Sequence, residues 1–176
     1  MYHGCNKTAL CSQRAIAEGF YGLLQKKDYD KINVSEICKE ANVSRQTFYS
    51  LFSSKENIVT FILSKEYTFN PTEECNCTGR PTLEELSSGF ASFIIEKSDF
   101  IALLEKNNII YLMQESLYES FGCCKNPEEK AVPCDLTIDF IAAGLTTIAK
   151  HYVTDCLSDN ALSDVIYKLF SGECFR

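Results

Sequence analysis

Arg45, Gln46 and Thr47 stand in a row and offer a guanidinium fork, a carboxamide and a hydroxyl with a methyl beside it. Their common chemistry is hydrogen bonding in a plane, not proton transfer. Arginine matches the O6 and N7 edge of guanine, glutamine matches N6 and N7 of adenine, and the threonine methyl suits that of thymine. Such groups read a base edge only if one rigid element presents them together. The flanking sequence supplies that element. Ser44 is a good N-cap, and Phe48 and Phe52, four residues apart, would bury the far side of a helix that opens at Arg45. A first helix precedes it over Val34 to Ala41, with Asn33 as N-cap and Ile37 and Ala41 on its apolar stripe. Asn42 then stands where a sharp stop needs the left-handed backbone that asparagine tolerates. Two short helices and a tight turn, with polar residues leading the second, make a helix-turn-helix reader of DNA.

The stretch INVSEICKEANVSRQTFYSLF, from Ile32 to Phe52, resembles the DNA-binding domain of the tetracycline-repressor (TetR) family. The residues that carry the resemblance are Val34, Ile37, Ala41, Val43, Ser44, Thr47, Phe48, Tyr49 and Phe52, followed by Lys55 and Glu56. Asn33 replaces the usual threonine, Cys38 an alanine and Asn42 a glycine. Ser50 and Leu51 stand where the family often carries a basic residue and a histidine, which thins the expected grip on phosphate. The resemblance covers about the first third of the chain. It implies that Tyr49 and Lys55 touch the DNA backbone, as would Asn33 and Ser44 at helix N-termini, where backbone amides favour phosphate.

Charge divides along the chain in a way that suits this reading. The formal net charge is −7, yet up to Tyr67 nine Lys or Arg face seven Asp or Glu, and beyond it eight face seventeen. Acidic charge therefore collects away from the reader. A surplus of only two positive charges predicts weak attraction to DNA by one copy, so tight binding calls for two readers acting together. Hydrophobic residues make up 45% and charged residues 23%, an ordinary globular composition. The first residues show no signal-peptide pattern and no apolar run is long enough to span a bilayer, so the expected location is the cytoplasm, away from membranes.

The whole chain reads as all-α, with helices expected over Thr8 to Lys27, Lys55 to Tyr67, Leu83 to Glu96, Ser98 to Phe121 with a break at Asn107-Asn108, Cys134 to Leu157, and Leu162 to Phe170. Thr82 and Glu85 form a capping-box pattern. The proline- and glycine-bearing segment Asn70 to Pro81 marks a connection, so the expected domains are 1–67, the reader with its connecting helix, and 68–176, a helical effector-binding and dimerisation domain. The family resemblance implies that the last two helices pair with a second copy across a two-fold axis. The stripe Phe140, Ala143, Gly144, Thr147, Ile148 and His151, with Val165, Ile166 and Leu169, is the expected interface. Two readers so related would sit about 34 Å apart, one turn of B-DNA, and select a palindromic operator. The resemblance also implies a cavity for a small-molecule effector, with Phe90, Phe93, Ile94, Phe100, Leu104, Tyr111, Met113, Tyr118, Phe140 and His151 as lining candidates.

Ten cysteines are the unusual compositional feature. In a reducing compartment they would stay thiols, and no pair has zinc-ribbon or C-x-x-C spacing. Cys75 and Cys77 beside Glu73 and Glu74, with Cys123, Cys124 and Cys134, could hold a soft metal or sense an oxidant; Cys38 and Cys156 read as small hydrophobes. No phosphate loop, G-x-S-x-G or H-E-x-x-H motif is present, and no catalytic residue, cofactor or metal is assigned. The leading expectation is a repressor released from its operator by an effector. The alternatives are a thiol- or metal-sensing regulator of the same fold, an activator or partner-binding regulator, and more remotely a cysteine-dependent protein that does not bind DNA.

Overall fold

The computed structural model describes residues 6–64, 82–122, 134–155 and 157–173, and every regular element among them is helical. The chain divides into two compact units, Met1–Leu63 and Ser64–Arg176. No helix among the described residues is long and apolar enough to cross a membrane.

The first unit contains α1 (Lys7–Leu24), a single 3₁₀ turn (Tyr29–Lys31), α2 (Val34–Glu40), α3 (Arg45–Leu51) and α4 (Glu56–Ser64). α1 stops three residues short of its expected end at Lys27. The chain turns there to bury Tyr29, while Lys27 pairs with Glu36 of α2 at 2.6 Å. Ile16 and Phe20 of α1, Ile37 of α2, Phe48 of α3, Phe52 just after it and Ile58 of α4 are all fully buried and make one small core. Close approach of α1 to α2 depends on Gly19. A Cβ there would lie 3.3 Å from both the Ala41 amide nitrogen and the Glu40 Cβ.

The second unit holds α5 (Leu83–Glu96), α6 (Ser98–Lys106), α7 (Tyr111–Gly122), α8 (Cys134–Asp155) and α9 (Asp159–Ser171). Thr82 and Glu85 close the expected capping box at the start of α5. Asn108, at φ 58°, breaks the 98–122 stretch into α6 and α7 where the Asn107-Asn108 pair suggests. α5 packs on α9, and α8 packs on both α6 and α7. A 2.7 Å ion pair between Lys150 and Glu105 fastens α8 to α6. Gly172, in the left-handed region at φ 77°, ends α9 in the way glycine commonly ends helices.

Candidate nucleic-acid interface

Both helices of the reader begin on side-chain caps. Asn33 Oδ1 accepts the Glu36 amide at 3.0 Å, and Glu36 returns a carboxylate oxygen to the Asn33 amide at 3.1 Å. This reciprocal box satisfies two orphan donors of α2. The hydrogen bond from Lys27, joined by that from the Asn33 amide, holds Glu36 below the usual carboxylate range. α2 ends at Glu40 with Ala41 as its C-cap, and Asn42 takes φ 52°, which stops the helix abruptly before Ser44.

Ser44 opens α3 by accepting the Thr47 amide at 3.0 Å. Arg45 and Gln46, next in the chain, are exposed, whereas Phe48 is fully buried and anchors the opposite face. Thr47 is partly covered, and its hydroxyl shares a 2.8 Å hydrogen bond with the Ser44 hydroxyl. Tyr49 is 53% exposed and rests edge-on against Phe48, with ring centroids 5.3 Å apart. Ser50 turns its hydroxyl back onto the Thr47 carbonyl at 2.7 Å. The outer face of α3 thus carries one guanidinium, one carboxamide and one phenol on a helix fixed by its cap and its buried ring.

Lys55, expected at the DNA backbone, is engaged within its own chain. Its ammonium donates to the Tyr29 carbonyl at 3.0 Å and to the Ile32 carbonyl at 3.4 Å, so two of its donors face protein rather than an open surface. Cys38 is buried on α2; burial pushes its thiol up, with the Arg45 charge acting weakly in the opposite sense. It stays a protonated small hydrophobe near neutrality.

Comparison with known proteins follows this geometry. Residues 21–60, from the end of α1 into α4, match the family model for bacterial regulatory proteins of the tetR family. The reader of this chain is similar to that of the TetR family. Over 61 residues it is 34% identical to the HTH-type dhaKLM operon transcriptional activator DhaS of Lactococcus lactis subsp. lactis (strain IL1403). That match spans 35% of this chain and 33% of the relative, so about a third of the curated relative is represented. Two solved structures share the fold over nearly the full length. A TetR transcriptional regulator from Streptococcus agalactiae 2603V matches with a TM-score of 0.56 and 21% identity, over 93% of this chain and 95% of its own. The dihydroxyacetone kinase operon activator DhaS matches with a TM-score of 0.56 and 18% identity, over 92% and 95%.

In the second unit most of the residues expected to enclose an effector fall into two groups. Phe90, Phe93, Ile94, Phe100, Leu104 and Met113 are buried among the helices of the second unit. Phe140 is 74% exposed and Tyr111 50%, and His151 is exposed and pairs with Asp155. These three do not face the interior. The reason lies in α8, which buries Ile138, Ala142, Leu145 and Ala149; Phe140 and His151 are each two positions off that stripe, about 200° round the helix. An open groove of about 490 Å³ does lie along α7 and α8, and of the expected residues Tyr111 and Tyr118 line it, with Gln114, Glu115, Glu119 and Asp139.

The expected dimer stripe also needs correction. Ile148 is 7% exposed and Ile166 not at all, so both belong to the core of their own chain. Phe140, Thr147 and His151 remain on the outward face of α8, with Ala143 and Gly144 partly covered. Leu136, which the sequence reading missed, is 67% exposed and extends this face by one turn. On α9, Leu169 is exposed and Val165 half-buried. The Phe170 ring lies 4.0 Å from where a Gly144 Cβ would be, so α9 crosses α8 at that glycine. The expected sensing groups fall largely outside the described residues: Glu73, Glu74, Cys75, Cys77, Cys123 and Cys124 lie there, as does Cys156, and the Cys134 side chain is likewise not described.

Proposed function

We propose that the chain is a sequence-specific DNA-binding transcriptional regulator that acts as a homodimer on a near-palindromic operator. The observation that carries this reading is the first turn of α3. Arg45 and Gln46 stand exposed immediately after a Ser44 cap, on a helix whose inner face is pinned by Phe48. Arg45 and Gln46 read base edges, the Thr47 methyl faces a thymine, and Tyr49 contacts the backbone. Asn33 and Ser44 serve chiefly as caps that aim the α2 and α3 N-termini.

The outward face of α8 supports dimerisation. Leu136, Phe140, Ala143, Thr147 and His151 recur at spacings of three and four, the period of one helix face, and two large apolar side chains lie open on it. Burying such a patch against its own copy removes apolar area from water, at about 25 cal/mol per Å². Exposed apolar patches of this kind mark interaction surfaces.

Regulation by a small molecule in the second unit is the first mode proposed, with repression relieved when the effector binds. The α7–α8 groove favours a neutral or cationic polar molecule, because a carboxylate ligand would meet Glu115, Glu119 and Asp139. Activation is the second reading, and the similarity of the reader to that of the activator DhaS favours it. Sedimentation of the purified chain with duplexes enriched for binding tests the shared core of both modes. The expected complex holds two chains per duplex; one chain per duplex would remove the dimer, and unbound duplex would remove the reader.

A further inference from the structure

Tyr29 is only 6% exposed although it sits in a one-turn 3₁₀ element between α1 and α2. Two consecutive residues, Lys55 just before α4 and Glu56 as its first, hold it from opposite ends. Its hydroxyl donates to Glu56 Oε1 at 2.6 Å. Its carbonyl accepts from Lys55 Nζ, and the same ammonium lies 3.8 Å from the centroid of its ring. The Ile32 carbonyl, just past the turn, receives the ammonium as well. A cation donating to backbone carbonyls and lying over an aromatic face is favoured on both counts. The edge of the ring then packs on Phe20 of α1, with centroids 6.3 Å apart. One side chain therefore joins α1, the α1–α2 connection and the first turn of α4.

We propose that Tyr29, Lys55 and Glu56 are positioning residues that weld the first turn of α4 to the reader, so that the placement of α3 is set through this junction. Lys55 acts through Tyr29, not by neutralising a phosphate. The proposal rests on the DNA-binding reading above. α4 is the segment by which the chain leaves the first unit. A slack joint there would let each reader of a dimer swing and accept half-sites at several separations. A welded joint makes the two readers demand one separation, and it passes any displacement of α4 to α3 undiminished. Base recognition itself stays with Arg45 and Gln46, which the weld does not touch.

The test uses the full-length dimer and operators whose half-sites stand at the preferred spacing or one base pair closer or farther. Lys55→Met keeps the length of the side chain and removes the charge; Tyr29→Phe removes only the hydroxyl and is the milder variant should the first fold poorly. The wild-type chain should lose about tenfold or more in affinity for the misspaced operators. Each variant should narrow that penalty to about threefold or less, with base preference inside the half-site and the dependence on salt unchanged. A salt slope reduced by about 0.9 for each lost contact, with spacing preference intact, would make Lys55 a phosphate ligand and overturn the proposal. A lower melting temperature with spacing preference and salt slope both unchanged would overturn it too, leaving only a core contact. Failure of the wild-type chain to bind any duplex would instead strike the DNA-binding reading beneath it, and the proposal would fall with that reading.

Discussion

The Ser44 hydroxyl meets Thr47 twice, accepting its backbone amide at 3.0 Å and sharing a 2.8 Å hydrogen bond with its hydroxyl. One serine thereby caps α3 and engages the hydroxyl of a candidate reading residue. Replacing Ser44 by Ala should cost about 1 kcal/mol of stability, the usual penalty for a lost N-cap. Operator affinity should fall with it as the first turn frays. Thermal melts and binding titrations on the same variant check both; an unchanged melting temperature would show that the cap contributes nothing.

Arg45 is exposed, with its planar fork one residue past that cap. Arg45→Ala should weaken specific binding by about 1–3 kcal/mol and relax the preference at one position in each half-site. A uniform loss across all sequences would demote Arg45 to a phosphate contact.

Phe140 and Ile148 lie on the same helix with opposite exposures, 74% and 7%. Phe140→Lys should therefore yield a folded monomer in sedimentation, while Ile148→Lys should lower the melting temperature steeply by burying an unpaired charge. A persistent dimer in the Phe140 variant would place the interface elsewhere.

Glu56 gives the fold a pH dependence whose sign can be worked out. Burial pushes its carboxyl up, but hydrogen bonds from the Ser54 and Tyr29 hydroxyls and the Lys55 charge together hold it below its ordinary value of 4.5. A group lowered on folding stabilises the folded state above its ordinary value, and that contribution is lost as the pH falls from there through the folded value. The wild-type chain should thus melt higher than Glu56→Gln near neutrality, and the gap should close in acid below about 4.5. A gap that persists unchanged at the acid end would mean that the charge of Glu56 is irrelevant.

The reader was legible because its determinants are local. Asn33, Asn42 and Ser44 each act on backbone within three residues, and Asn42 takes the left-handed conformation its residue type suggests. The hydrogen bonds of Lys55 were not legible, because its partners Tyr29 and Ile32 lie 26 and 23 residues back, a pairing that only tertiary folding creates. In α8 the sequence is apolar on two sides. Ile138, Ala142, Leu145 and Ala149 form one stripe and Leu136, Phe140 and Ala143 another, and periodicity does not say which of them the chain itself covers. Hence Ile148 was expected at a partner surface, and Phe140 and His151 in a cavity. The capping box at Thr82 and the break at Asn108 again followed from neighbours in sequence.

Selection of bound duplexes from a random DNA pool, with the purified chain at one fixed moderate salt concentration, tests the central claim most directly. The account predicts a recovered palindrome whose half-sites are centred about one helical turn apart, with one position in each half-site losing its preference when selection is repeated with Arg45→Ala. Recovery of no consensus by the wild-type chain would contradict a sequence-specific reader on α3.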